Sequence, residues 1–220
     1  MAPQIADPER LLALAYADAE RRGALALLWQ LDERLAGIVV TTSQPAIGQM
    51  RLTWWHQALD GLGTAPAPAE PLLMALAACP QVVPARLLPL IDGWEALLDA
   101  PPLDEAALSL HAEARGAALF AAAADLLGPT GLPDDEIAAA GRLWALIDAA
   151  RRLTDPASAG RALALARAEL GRLPRRWPRP LAPLGLLAVL ARADARAPQP
   201  ARQGAPRRIA RALWFRIARR

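Results

Sequence analysis

The sequence has no lysine, one cysteine, two histidines and few aromatic residues, and each shortage excludes a class of protein. Because Cys79 is the only cysteine, the chain cannot form an internal disulfide or supply a cluster of thiolate ligands. His56 and His111 are too few to complete a zinc site, and we expect each to lie at the surface or at the edge of a pocket. β-Branched and aromatic residues, which favour strands, are scarce, so an all-β or α/β protein is excluded.

Alanine and leucine dominate the apolar 54% of the 220 residues. Both are strong helix formers, which predicts an all-α fold with enough chain for one large domain. We expect a helical domain over residues 1–196, followed by a basic linker and C-terminal helix over 197–220. No stretch of about 18 residues is free of charge and proline, and the N-terminus lacks the pattern of a secretory signal. These features predict a cytoplasmic protein. A peripheral association with the inner face of the membrane is compatible with them.

The charge of the chain is divided between its two ends. All 25 basic residues are arginine: residues 1–141 hold seven against 18 acidic residues, and residues 142–220 hold 18 against four. An arginine-rich third indicates a phosphate, an anionic membrane surface or an acidic protein partner. Nucleic-acid motifs are absent and few aromatic residues lie among the arginines, so we expect no nucleic-acid partner.

Helical periodicity runs through the chain and is interrupted at prolines. Acidic residues in several first turns, as in Asp104-Glu105 and Asp134-Asp135-Glu136, agree with the helix dipole. The predicted helices cover residues 7–22, 24–40, 47–62, 84–99, 104–127, 134–154, 156–171, 184–195 and 206–219. The four helices at 24–40, 47–62, 104–127 and 134–154 are expected to form the centre of the bundle.

One segment carries a specific resemblance to a known family. Residues 33–62 read ERLAGIVVTTSQPAIGQMRLTWWHQALDGL, in which a helix ends at a Ser-x-Pro turn and is followed by Ile-Gly-x-Met-Arg-Leu-x-Trp-Trp. This order resembles the squalene/phytoene synthase family, and most of all the branch that includes respiratory complex I assembly factor proteins. The segments 110–128, 139–153 and 204–220 resemble later helices of that family in the same order.

The resemblance implies an isoprenoid-synthase fold, a helical bundle around a deep apolar cavity. Enzymes of the family join two prenyl diphosphates head to head. Departure of diphosphate leaves an allylic cation, and Mg²⁺ neutralises the leaving group. The resemblance implies two aspartate-rich motifs on facing helices as ligands, since aspartates four residues apart share one helix face.

The chain departs from both aspartate motifs. Ala36 and Val40 stand at the two aspartate positions of the first motif, with Asp32 one turn earlier. In the second motif Asp148 is retained, whereas Arg152 replaces the second aspartate. An arginine beside the site repels a cation by several kcal/mol even at an effective dielectric of about 20. We therefore expect neither a metal nor another cofactor, and Mg²⁺ only if the chain is an active enzyme.

Six residues are candidates for lining a cavity or binding a substrate, and each has a structural alternative. Arg51 could bind an anion, but a pairing with Asp32, Glu33 or Asp60 is favoured. Adjacent tryptophans point about 100° apart on a helix, which places one in the core and the other on a cavity or interface wall. Asp148 and Arg152 are also at the spacing of an ordinary ion pair. The candidates are Arg51, Trp54, Trp55, Asp148, Arg151 and Arg152.

Two functions remain open. Loss of the metal ligands favours a non-catalytic family member that binds a prenyl lipid or assists assembly of a respiratory-type complex. The alternative is a prenyltransferase that condenses farnesyl or geranylgeranyl diphosphate head to head. The C-terminal helix is expected to present Ile209, Leu213, Trp214 and Ile217 as one apolar face, with Phe215 outside it. That face either docks on an anionic membrane or a partner, or folds back onto the bundle.

Overall fold

The computed structural model describes residues 5–129 and 131–218, which form helices joined by short loops. Within these ranges there is no β-strand, and Leu62 and Ala65 form an isolated bridge, so the predicted all-α fold is confirmed. The helices are α1 (Pro8–Leu14), α2 (Ala19–Thr41), α3 (Pro45–Asp60), α4 (Pro71–Ala77), α5 (Pro89–Glu95), α6 (Glu105–Leu110), α7 (Ala118–Leu127), α8 (Asp134–Arg152), α9 (Pro156–Ala168), α10 (Ala182–Ala195) and α11 (Pro206–Ala218). In the described part of the chain, no helix has the length and hydropathy needed to cross a membrane.

Three short helical segments connect these elements. Pro84–Arg86 and Glu169–Arg172 are 3₁₀ turns, and His111–Ala117 is a π-helical segment that joins α6 to α7. Residues 105–127 therefore form one continuous helix, as predicted for 104–127. Its middle part, the π segment, has a wider turn than an α-helix. Such π segments are rare and often occur where a functional side chain must be placed.

Two predicted helix boundaries are wrong. Helix α1 ends at Leu14, and α2 begins at Ala19 and continues through Gly23. The break lies at Asp18, whose backbone is extended (φ −60°, ψ 147°), while glycine inside a packed helix costs only about 1 kcal/mol. The predicted helix 84–99 is also divided, because Pro89 has no N–H to continue it and instead opens α5.

Two glycines allow the π segment to touch α8. A Cβ atom at Gly116 would clash with the carbonyl of Gly141, and a Cβ at Gly141 would clash with Gly116 in turn. On the other side, a Cβ at Gly93 of α5 would lie 2.5 Å from the backbone nitrogen of Arg115. Since no larger residue fits, the backbones meet directly and hold Arg115 at the centre of the bundle.

The C-terminal helix α11 packs against α1 and α10. Ala212 and Phe215 are buried there, and the hydroxyl of Tyr16 donates a hydrogen bond to the Ala212 carbonyl at 3.0 Å. Gly185 of α10 leaves room for the aromatic ring, since a Cβ at that position would lie 2.7 Å from Phe215. The helix does fold back onto the bundle, but it buries Phe215 and leaves Ile209, Leu213, Trp214 and Ile217 exposed, so the alternative in which the predicted apolar face is buried is wrong.

Candidate functional site

The centre of the bundle contains charged side chains where the resemblance implied an apolar cavity. Arg10, Asp32 and Arg115 have no exposed surface, and Asp148 is also buried. Nε of Arg115 lies 2.9 Å from Oδ1 of Asp32, and its Nη2 lies 2.7 Å from Oδ2 of Asp148. One guanidinium thus joins a carboxylate of α2 to a carboxylate of α8. Arg10, Asp32, Arg115 and Asp148 are called the central network below.

Asp32 has three polar partners. Besides Arg115, Nη2 of Arg10 lies 2.6 Å from its Oδ2, and the indole Nε1 of Trp94 donates to its Oδ1 at 2.8 Å. Burial opposes ionisation, yet the guanidinium groups of Arg115 and Arg10 hold the pKa of the Asp32 carboxyl well below its usual range. Asp32 is therefore a carboxylate that is charged at neutral pH, and both of its oxygens are paired.

Asp148 connects the central network to the protein surface. Its Oδ2 accepts from Arg115, and its Oδ1 accepts from Nε of Arg152 at 2.9 Å. Burial again opposes ionisation, and Arg115 and Arg152 lower the pKa of the Asp148 carboxyl well below the usual value. The predicted ion pair between Asp148 and Arg152 is therefore present, with a second arginine on its inner side.

His111 in the π segment is neutral and supports Arg115 from behind. Its Nδ1 lies 2.6 Å from the Gly93 carbonyl, to which it can only donate, so the unprotonated Nε2 is left to accept from Nη1 of Arg115 at 3.2 Å. Burial and then the charge of Arg115 lower the pKa of His111 to about 4. The expectation that His111 lies at the surface or a pocket edge is wrong, because it completes the hydrogen bonds of a buried guanidinium.

Aromatic rings cover the faces of the buried guanidinium groups. The guanidinium carbon of Arg115 lies 4.1 Å from the ring centroid of Trp94 and 4.6 Å from that of Trp144. Arg10 lies 4.9 Å from the Trp144 ring. These cation–π contacts offset part of the cost of removing the arginines from water.

The residues that replace the aspartates of the predicted motifs line one cleft. Ala36 and Val40 of α2 and Arg152 of α8 line a cleft of about 350 Å³, together with Ala6, Asp7, Glu33, Gly37 and Gln203. The positions predicted for the two motifs therefore line the same cleft, and Asp32 and Asp148 of the central network lie on the same two helices. We refer to this site as the motif cleft.

The residues of the motif cleft do not fit Mg²⁺. Both oxygens of Glu33 accept from backbone nitrogens, at 2.8 Å from Ala6 and 3.1 Å from Asp7. Oδ2 of Asp7 accepts from the amide of Gln203 at 2.8 Å. In the described ranges no three acidic, histidine or cysteine side chains converge as metal ligands. Mg²⁺ requires free oxygen ligands, and here the oxygens are engaged and an arginine adds positive charge.

The other predicted candidates lie outside the motif cleft. Arg51 is exposed, with Nη1 at 3.5 Å from the Thr42 hydroxyl, so the favoured pairing with Asp32, Glu33 or Asp60 is wrong. Trp55 is buried and Trp54 is 45% exposed, so Trp55 is the expected core ring, and the two rings pack edge to face at 5.5 Å. A role for these residues in binding substrate stays a prediction.

Arg151 belongs to a second cluster of ion pairs, the latch, formed by Glu9, Arg151, Asp194 and Arg208, of which Arg151 is half-buried and the other three are buried. Arg208 of α11 places Nε 2.5 Å and Nη2 2.7 Å from the two carboxylate oxygens of Glu9. Arg208 and Arg151 both also pair with Asp194. The pKa of Arg208 is raised, because hydrogen bonds with Glu9 and the charges of Glu9 and Asp194 outweigh burial. These ion pairs fix α11 to α1, α8 and α10.

Sequence reasoning missed Arg10, His111 and Arg115 as site residues. His111 and Arg115 are one helical turn apart in a segment otherwise rich in alanine and leucine. Charged residues on the apolar face of a helix are the available signal for such a pair. That signal does not identify the partners, which come from α2 and α8.

Comparison with known proteins agrees with the resemblance. The family model described as squalene/phytoene synthase matches residues 5–213, which is nearly the whole chain. Neither the search of curated proteins nor the search of solved structures found a match.

Proposed function

Since the chain belongs to the squalene/phytoene synthase family, we propose that it is a non-catalytic member that keeps the helical bundle as a binding scaffold. The observation that carries this proposal is the meeting of Ala36, Val40 and Arg152 in one cleft. Two of these positions offer no ligand to a metal, and the third brings a positive charge.

The central network supports the same proposal. Asp32 lies one turn before the predicted first motif and Asp148 at the retained position of the predicted second motif, and both are paired with arginine. A guanidinium does not lose its proton in a protein and donates in a fixed geometry. Releasing either carboxylate for Mg²⁺ would leave a buried charge without its partner, which costs about 3–5 kcal/mol.

The motif cleft favours a lipid-like ligand with an acidic group. Ala36, Gly37 and Val40 give it an apolar side, and the Arg152 side chain is 38% exposed next to them. Nε of Arg152 is used by Asp148, which leaves the outer edge of its guanidinium to face the cleft. Binding of a prenyl diphosphate or a similar anionic lipid, without bond cleavage, follows from this arrangement.

A role in assembly of a membrane complex is favoured by a different surface. Ile47, Met50 and Trp54 are exposed on α3, and their spacing places them on one side of that helix. Such a stripe suits a protein partner. The lipid-binding and assembly roles are two uses of one scaffold and require no chemistry from the central network.

Incubation with farnesyl or geranylgeranyl diphosphate tests the proposal. Diphosphate release in the presence of Mg²⁺ is expected to equal that of a sample without protein. Equilibrium dialysis without metal is expected to detect farnesyl diphosphate binding, which Arg152→Gln weakens and the exposed control Arg86→Gln leaves unchanged. Release of diphosphate that requires both protein and Mg²⁺ would instead establish the alternative, a prenyltransferase.

A further inference from the structure

Helix α11 turns four of its large apolar residues away from the bundle. Arg208, Ala212 and Phe215 form the docked side, and they follow the i, i+4, i+7 spacing of one helix face. Leu213, Trp214 and Ile217 lie on the opposite side, with Ile209 at its border, when residues are placed about 100° apart. Trp214 is 64% exposed and Ile217 is 79% exposed. This set of four residues is called the outer face.

Arginines flank the outer face on both sides. Arg207 and Arg211 lie along one edge and Arg216 along the other, and all three are exposed. Residues 195–220 contain no aspartate or glutamate. An apolar stripe bordered by cationic side chains is the arrangement of helices that lie in the interface of a bilayer, parallel to its plane.

The neighbouring end of α10 adds further positive charge. Arg196 and Arg211 lie close enough to Arg192 to repel its charge. Burial and then the charges of Arg196 and Arg211 lower the pKa of Arg192. An anion placed over these guanidinium groups would relieve the repulsion.

A cleft lies between α1 and α11, beside the outer face. It has a volume of about 300 Å³ and combines apolar side chains with two guanidinium groups. Its lining includes Leu12, Tyr16, Leu213, Arg179 and Arg216. This chemistry suits a lipid, because the upper acyl chain can lie against leucine while the phosphate contacts arginine.

We propose that the outer face of α11 and its flanking arginines form a docking surface for an anionic lipid bilayer. The apolar side chains enter the boundary between headgroups and acyl chains, and the arginines contact lipid phosphates. The absence of acidic residues disfavours a second copy of this chain as occupant, since two such surfaces would repel each other. The exposed tryptophan and aliphatic residues disfavour nucleic acid, which would leave them in water. This inference does not depend on whether the chain is catalytic.

Sedimentation with vesicles tests the proposal on the full chain. Vesicles of phosphatidylcholine with phosphatidylglycerol are expected to bind the protein, and vesicles of phosphatidylcholine alone are expected to bind it far less. Each arginine near an anionic surface contributes about fivefold in affinity, so R207Q/R211Q is expected to weaken binding by more than tenfold. Moderate salt should weaken binding of the wild-type protein, and free glycerol phosphate should not compete.

Matched variants test whether binding depends on the outer face and not on exposed apolar residues in general. L213S/I217S is expected to abolish binding, whereas M74S/V83S, which removes two aliphatic side chains exposed elsewhere, should bind as the wild type does. Circular dichroism confirms that each variant is folded. Brominated lipids should quench tryptophan fluorescence in the wild type, and W214F should lose most of that quenching.

Three results would overturn the proposal. The first is equal binding to neutral and anionic vesicles, and the second is unchanged binding by L213S/I217S. The third is a stable dimer in sedimentation velocity that L213S/I217S makes monomeric, because the outer face would then be covered by a second copy.

Discussion

Asp32 and Asp148 accept hydrogen bonds from the same nitrogen, Nη2 of Arg115, at 2.9 Å and 2.7 Å. The two carboxylates come from facing helices and are separated by 116 positions in the chain. Two carboxylates that converge from facing helices are the arrangement expected to hold a divalent cation in this family. Here a guanidinium of the chain itself occupies the position between them, so the charge is balanced internally.

Removal of Arg115 is expected to destabilise the protein severely. Arg115→Met leaves Asp32 and Asp148 buried with fewer partners, which costs about 3–5 kcal/mol in the free energy of unfolding. Urea unfolding measures this loss. Adding Asp32→Asn to Arg115→Met should cost much less than Asp32→Asn alone, because the carboxylate has already lost its main partner. A loss below about 1 kcal/mol for Arg115→Met would contradict the importance of the central network for stability.

The backbone contact between the π segment and α8 is expected to tolerate no added methyl group. Gly116→Ala and Gly141→Ala each force a Cβ atom into the opposing backbone, at a cost of about 2 kcal/mol or more. Gly160→Ala in α9 is the control, because nothing lies within 4 Å of a Cβ atom there. The free energy of unfolding of this control should rise by up to about 1 kcal/mol, because alanine has a higher helix propensity than glycine. Thermal unfolding compares the three variants, and equal effects at all three positions would argue against the close approach.

His111 is expected to make the free energy of unfolding depend on pH at values above those at which the buried carboxyl groups titrate. Its pKa is lowered to about 4 in the folded protein, so the unfolded chain binds the proton more tightly and stability falls as pH decreases from about 6.5 to about 4. Between pH 7 and pH 4.5 the loss is about 2 kcal/mol. Asp32 and Asp148, whose pKa values are depressed, lose their contribution only at lower pH.

Urea unfolding of His111→Gln at the two pH values checks this prediction. The variant lacks the titrating group and should lose about 2 kcal/mol less than the wild type over the same interval. An identical pH dependence of wild type and variant would show that His111 titrates normally in the folded protein.

The latch is expected to control the docking of α11. Arg208→Met removes the partner of Glu9 and weakens the arrangement around Asp194, which should release α11 while the core remains folded. Hydrogen exchange should then become faster over residues 206–218, with little change over 134–152. The neighbouring Arg207 is exposed, so Arg207→Met is the control. Uniformly faster exchange over the whole chain would instead show that the latch stabilises the whole protein and not the docking of α11 alone.

Most of the helices could be predicted from the sequence because they depend on local patterns. Periodicity predicts where α2 and α8 lie, and the Ser43-Pro45 turn fixes the spacing to Ala36 and Val40. The family model matches residues 5–213, and the assignment of single motif positions stays a prediction. The motif positions do meet at one cleft.

The central network could not be predicted, because burial of an arginine is decided by tertiary packing. Arg115 and Arg208 look in sequence like any arginine on a helix, yet the first is covered by Trp94 and Trp144 and the second pairs with Glu9 and Asp194. Helix α11 shows the same difficulty. Its hydrophobic pattern indicates Ile209, Leu213 and Ile217 as one apolar face but does not decide whether that face is buried, and ion pairs and the Phe215 ring turn the opposite side inward.

Binding of Mn²⁺, followed by electron paramagnetic resonance, tests most directly the claim that arginine has replaced the divalent cation. Mn²⁺ takes the same oxygen ligands as Mg²⁺, and the free ion is counted from its spectrum. With the wild-type protein, with and without farnesyl diphosphate, the signal of free Mn²⁺ should equal that of a protein-free sample containing the same lipid. Stoichiometric loss of that signal on adding protein, reversed by Asp148→Asn, would contradict the account.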